Sequence, residues 1–364
     1  AKATPDCADR ISQLTGTING NLGQFDEVYK DVAEALQFTP QGLSMRKREF
    51  ATDDHLREAW KSTEMHLADL TTFKDRTGVD MAYDNLANIV NAMIAHQGDT
   101  SNLILDPDLD SYYSMDVTLL ALPQTQNRLP KVIAYGRDAI EKGTLSGEDR
   151  VQLAVFASML AEADVTRVVG STNTAINEDP NFYGASPTFR NALLPALKTY
   201  EDSNNEFVAT VKKLATEQKP SISSKDFVEA GLAARNESFR FWNVYASEMD
   251  KLLEIRIASY VGKRNSALAA SAVAVLVALL LSMLMMWSIN KPLSKLAANL
   301  GPGATLLSTC VKRISQSNEK GASPEENAMI VEKLEAHATD MRKAVGELVS
   351  IVNGSSAGLQ PRAS

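Results

Sequence analysis

Ser266–Ile289 reads SALAASAVAVLVALLLSMLMMWSI, twenty-four residues without one charged side chain. As an α-helix it would be about 36 Å long, enough to cross a hydrocarbon core of about 30 Å with some tilt. Inside lipid only a helix or a closed barrel satisfies its own backbone. Lys263 and Arg264 precede the run, Lys291 follows it, and Trp287 sits where an interfacial aromatic belongs. The run is too long and too uniformly apolar for an ordinary core helix. One membrane-spanning helix over 266–289 is therefore expected, with the lipid bilayer as its partner. It divides the chain into 1–265, 266–289 and 290–364.

Around that segment lie 364 residues, 23% charged and 44% hydrophobic, a composition that folds. Two cysteines, Cys7 and Cys310, fall on opposite sides of the span and exclude a disulfide scaffold. Four scattered histidines (His55, His66, His96, His337) offer no metal or catalytic cluster, and no catalytic residue or cofactor is expected. A net charge of −8 argues against a nucleic-acid partner. Residues 1–265 carry a net charge of −10 and residues 290–364 one of +2. Arg256, Lys263 and Arg264 before the span and Lys291 and Lys295 after it barely decide orientation, and long domains cross with little regard to charge. The segment balance is what points to the acidic bulk outside and the basic tail inside. The chain starts Ala-Lys-Ala with no apolar run, so a removed signal peptide, or an N-terminal helix absent from this numbering, is expected.

Residues 1–265 read as helix: near 4–37, 53–98, 111–142, 147–177, 187–217 and 223–290. Breakers fall at Thr39-Pro40-Gln41-Gly42, Asp106-Pro107, Gly143, Asp179-Pro180 to Gly184, and Lys219-Pro220. Ser146, Ser186 and Ser223 suit N-caps, and Pro187 a first helical position. The last helix carries a stripe of Phe227, Gly231, Ala234, Ser238, Phe241, Tyr245, Leu252, Ile255 and Ser259, which runs directly into the span. The expected fold is all-α. It consists of an elongated bundle, read as two stacked four-helix bundles sharing long helices, then one transmembrane helix and a short antiparallel hairpin.

The densest chemistry is Leu105-Asp106-Pro107-Asp108-Leu109-Asp110-Ser111-Tyr112-Tyr113-Ser114-Met115-Asp116. Its D-x-D-x-D start resembles a calcium loop. An EF-hand needs glycine at the sixth position and glutamate at the twelfth, where this chain has Ser111 and Val117. The competing reading is a helix-to-helix corner, with Asp110 or Ser111 capping the next helix and the tyrosines packing. Arg76, Arg128, Arg137, Arg150, Arg167 and Arg190 could clamp an anionic ligand between helices, although a lone helical arginine is more often solvated.

Asp99-Thr100-Ser101-Asn102-Leu103-Ile104-Leu105, followed by DPDLDSYYSMD, Leu119-Leu120 and Leu122-Pro123, resembles the sensory region of bacterial methyl-accepting chemotaxis proteins and related transmembrane sensor kinases. Ile289-Asn290-Lys291-Pro292-Leu293 is similar to the start of the HAMP-type signalling helix in those receptors, which makes Lys291, Pro292 and Leu293 the membrane-to-cytoplasm junction. The resemblance implies a helical periplasmic domain that binds small metabolites, an inner-membrane location and a homodimer. On it, Asp106, Pro107, Asp108, Asp110, Tyr112, Tyr113 and Asp116 form a family motif with a structural part to play.

The tail departs from such receptors, which carry a long hairpin with a glutamate- and alanine-rich tip that controls a histidine kinase. Here Asn299–Ala304 to Ile314–Ser317 looks like the base of the descending helix. Lys333–Ala338 to Val345–Val349 looks like the final helix, and no tip lies between them. Leu296, Leu300, Gly303, Leu307, Cys310 and Ile314 form one apolar seam. Leu334, Ala338, Met341, Val345, Leu348 and Val352 form another. Ser323-Pro324-Glu325-Glu326 reads as a capping box and Gly354 as a helix stop. Two functions follow as expectations. One is a sensor of a small anionic or amine solute that passes a helix displacement across the membrane. The other is a non-signalling accessory subunit of a larger membrane complex, descended from a receptor that lost its tip.

Overall fold

The computed structural model describes residues 5–69, 76–320 and 324–354, and among them every regular element is helical. Two units divide the chain at Val261 and Gly262.

In the first unit, α1 (Pro5–Val32) is followed by the short α2 (Pro40–Met45). The segment Thr39–Gly42, expected as a breaker, instead starts a helix. Thr39 caps it by accepting the Gly42 N–H at 3.1 Å, and Pro40 occupies a first-turn position where its missing N–H costs nothing. The single helix expected over 53–98 is two helices, α3 (Asp53–Asp69) and α4 (Arg76–Thr100), with 70–75 outside the described residues. They must fold back on each other, because Leu56 and Ala59 share one core cluster with Ile89 and Met93.

From Leu109 onward four rods alternate in direction. The first joins α5 (Leu109–Met115), a π-helical turn (Asp116–Ala121) and α6 (Leu122–Glu141). The second joins α7 (Gly147–Ser158), another π-helical turn (Met159–Val165) and α8 (Thr166–Glu178). The third is α9 (Phe189–Thr216) and the fourth begins α10 (Ser224–Lys320). One core cluster holds Leu129, Leu153, Val211 and Phe227; the other holds Leu122, Val168, Phe189 and Tyr245. Each rod contributes to both clusters, so these four helices are a single up-down-up-down bundle.

Local chemistry explains the joints. Gly143 turns the chain at φ +77°, and Ser146 with Asp149 forms a reciprocal capping box. Ser223 caps α10 by accepting the Asp226 N–H at 3.1 Å. The cap expected at Ser186 is absent: its N–H is given to the Asp179 carboxylate, and α9 starts only at Phe189, two residues past Pro187. The first π-helical turn lies just before Pro123, which has no N–H for the Leu119 carbonyl. The Thr118 carbonyl is taken instead by the Trp242 indole N–H at 2.8 Å.

The stripe on α10 faces inward: Phe227, Gly231, Ala234, Ser238, Phe241, Tyr245 and Leu252 are all buried among the other rods. Gly231 is required there, since a Cβ would stand 2.4 Å from Ile133 Cγ1.

In the second unit, α10 continues without a break through Lys291, Pro292 and Leu293 to Lys320, beyond the expected end near 290. The Lys291 ammonium sits over the Trp287 ring, 4.2 Å from its centroid. Within α10, the most apolar 18-residue stretch has a mean hydropathy of 2.6 and none of it is buried. By length and composition it could cross a membrane. Helix α11 spans Pro324–Gly354, the last described residue, while Ser323 lies outside the described residues. Gly303 faces Met341, and Leu307, Cys310, Leu334 and Ala338 line one cavity of about 420 Å³. The two apolar seams therefore meet antiparallel.

Candidate functional site

Helix α4 ends at Thr100, and Asn102, at a φ of +60°, reverses the chain into a single tight turn, Leu103–Leu105. Asp106 then organises the corner. Its Oδ1 accepts the Asp108 N–H at 3.1 Å and its Oδ2 accepts the Ser111 hydroxyl at 3.0 Å. The Ser111 N–H is given to Asp110 Oδ1 at 2.7 Å. Helix α5 starts at Leu109, so neither Asp110 nor Ser111 is its cap; both are buried inside it.

These carboxylates converge on Arg256 of α10. Its guanidinium pairs with Asp106, lies 2.8 Å from Asp108 and 3.6 Å from Asp110, and donates to the Ser111 hydroxyl. The Asp106 and Asp110 side chains are 5% and 4% exposed, and Arg256 is 14% exposed. A planar fork with five donors suits a semicircle of acceptors. Burial works against the Arg256 charge, yet its bond to Asp106 and the three carboxylates hold its pKa above the usual value. Burial pushes the Asp110 carboxyl up, against the pull of the Ser111 N–H and Arg256. Tyr183, itself at φ +56°, lays its ring 5.5 Å from the guanidinium and bonds its hydroxyl to that of Tyr260 at 2.9 Å.

Of the motif residues, Asp106, Asp108 and Asp110 thus come together, while Pro107 is exposed on the turn. The calcium-loop reading gives way to an arginine: a guanidinium takes the centre that a cation would hold. Tyr112 and Tyr113 meet edge to face at 5.3 Å. Asp116 belongs to a separate pair, accepting from Arg167 at 2.5 Å and from Ser171 at 3.0 Å. Lys291, Pro292 and Leu293 lie in the other unit.

A cleft of about 480 Å³ opens between α4 and the first two rods. Asn88 and Asn91 line it from α4, Leu119, Leu120 and Met159 from the two π-helical turns, and Gln124, Asn127, Arg128 and Lys131 from α6. π-Helical turns recur at functional sites because they free backbone groups and re-aim side chains. Arg128 pairs with the fully buried Asp164, and Lys131 lies 3.1 Å from Asp84. Burial raises the Asp164 carboxyl despite Arg128. With both cations already paired to carboxylates, the four carboxamides Asn88, Asn91, Gln124 and Asn127 are the groups the cleft offers, which suits a small polar solute able to hydrogen-bond to amides.

The sequence alone does not connect Arg256 to the corner, 150 residues upstream of it. The available signal was its place four residues after Leu252 on the inward stripe. Comparison with protein-family models, curated proteins and solved structures finds no match.

Proposed function

We propose that this protein is a membrane-anchored sensor of a small polar solute, crossing an inner membrane once over 266–289 with its acidic bundle outside and its short hairpin inside. The observation that carries this reading is the grip of Asp106, Asp108 and Asp110 on Arg256. Helix α4 lines the cleft with Asn88 and Asn91 in its C-terminal half, and its C-terminus leads through Leu103–Leu105 into the acidic corner. The corner holds α10, the helix that also carries the apolar segment. A solute bridging Asn88 or Asn91 to Asn127 would shift α4 against the bundle. The ion pairs then transmit that shift to α10 as a small piston or rotation. The likeness of 99–123 and 289–293 to chemoreceptor sequences supports the same reading. A homodimer would use the exposed face of α10 and the span, since the stripe is occupied within the chain.

The test is thermal unfolding of the full chain in lipid nanodiscs against organic acids, amines and amino acids. One class should raise the midpoint, by a few kcal/mol of stabilisation at high excess, and Asn127→Ala should remove the effect. No shift across the panel, or one unchanged in Asn127→Ala, would refute the assignment.

The accessory-subunit reading is favoured by one observation, the closing of the two tail seams on each other around Gly303 and Met341 with no long tip between them. Mild detergent extraction from native membrane tests it: a chain that migrates alone counts against it.

A further inference from the structure

The layer of α1, α3 and α4 does not fill its own core. Whereas Phe207, Phe227 and Phe241 in the four-rod bundle are buried to 1% exposure or less, Leu22, Phe25, Tyr29, Phe38 and Leu86 are only partly buried. Between them lies a cavity of about 510 Å³, opening beside Val28 and Val90. Among the described residues its wall has no charged side chain; the polar groups there are the Asn21 and Gln97 amides, the Tyr29 hydroxyl and the Trp60 indole.

The wall is held from behind. The Trp60 indole N–H is given to Asn19 at 2.7 Å. Phe38 packs on the His96 ring at 4.5 Å, and His96 Nε2 is tied to the Leu36 and Gln37 carbonyls at 3.1 and 3.0 Å. Phe25, Tyr29 and Phe38 follow one another at 5.2 and 5.4 Å. A cavity fixed this way does not collapse to regain contacts, so an occupant recovers them.

We propose that this cavity is a binding site for an uncharged, largely aromatic or aliphatic small molecule. Benzene fills an apolar cavity of about 150 Å³, so this one admits a body of roughly fifteen to twenty heavy atoms. An anionic ligand would find no cation on the described wall and would face the Asp53 and Asp54 carboxylates beyond Tyr29, so a neutral body is favoured. The amides and the Tyr29 hydroxyl suit one neutral polar group on the ligand. The site is separate from the carboxamide cleft and does not depend on the sensor reading.

The experiment uses the full chain in lipid nanodiscs and 4-bromobenzyl alcohol, whose bromine quenches tryptophan. Trp60→Phe reports the background from Trp242 and Trp287, and the difference isolates Trp60. Saturable quenching of Trp60 is expected. It should be lost in Ile94→Phe and in Val90→Phe, which fill the cavity and its mouth, with helix content and melting no lower than in the parent. The charged isostere 4-bromobenzoate should give no saturable component. Quenching that rises linearly, persists in both filled variants or is matched by the benzoate overturns the proposal. So does a Val28→Cys cross-link between two copies in protein that shows no saturable quenching, because the groove is then covered by a second chain.

Discussion

Replacing Arg256 with methionine isolates what the acidic corner does. The substitution keeps most of the side chain's length and removes the one cation that, among the described residues, pairs with Asp106, Asp108 and Asp110. Breaking a buried ion pair by deleting one partner costs about 3–5 kcal/mol. The 15% exposure of Asp108 lets water screen part of this, so about 3 kcal/mol is expected. For a folded unit of this size that is a fall of about 6–12 °C in melting midpoint. The pH dependence carries the sharper signature. Burial already holds the Asp110 carboxyl above its ordinary value, and losing the guanidinium raises it further. A carboxyl raised in the folded state keeps its full stability below the unfolded value near 4 and loses it as pH rises through the folded value. The deficit should therefore be largest at about pH 8 and shrink towards about pH 5. The assay is far-ultraviolet ellipticity of the full chain in nanodiscs during heating, with Asp106→Asn added to Arg256→Met as the rescue. A loss under about 1 kcal/mol, or one equal at both pH values, would refute the reasoning.

Two further outcomes are measurable on the same preparation. Gly231→Ala should destabilise by about 1–2 kcal/mol, because its Cβ would press on Ile133 at 2.4 Å and on the Phe207 ring at 3.0 Å. Gly170→Ala, with nothing within 4 Å of the new Cβ, should instead stabilise by about 0.5–1 kcal/mol; equal melting shifts for the two would contradict the packing described. His96 is held below its ordinary pKa first by burial, so the unfolded chain takes up the proton before the folded one does. Stability should fall as pH drops below about 6.5, and His96→Gln should flatten that slope in a series of pH-dependent melts.

The helical class and most helix starts are legible because they depend on near neighbours. Ser146 and Ser223 cap as their spacing implies, and the α10 stripe faces inward as its period implies. Thr39-Pro40 reads as a breaker, and the helix start there shows only once the Gly42 N–H is seen on Thr39. The break within 53–98 carries no proline and only Thr77-Gly78 as a breaker, while the fold-back depends on distant Leu56 meeting Ile89. The acidic motif was visible as a cluster but its meaning was not, since its counter-charge comes from Arg256 on another rod. The carboxamide cleft left no local trace: Asn88, Gln124 and Asn127 look like any solvated helix face until α4 is laid beside α6.

The two π-helical turns have an engineering consequence. Each stores surplus backbone, and both border the same cleft, Leu119 and Leu120 from one and Met159 from the other. One residue of α-helix corresponds to about 100° of rotation. Deleting a single position within 116–121 could therefore be absorbed by tightening that turn, leaving α5 and α6 in phase with their neighbours. The same deletion in regular α6 would swing Leu129, Val132 and Ile133 off the core. The bundle thus has two built-in slots where its length can change without scrambling what it buries, and both border the carboxamide cleft.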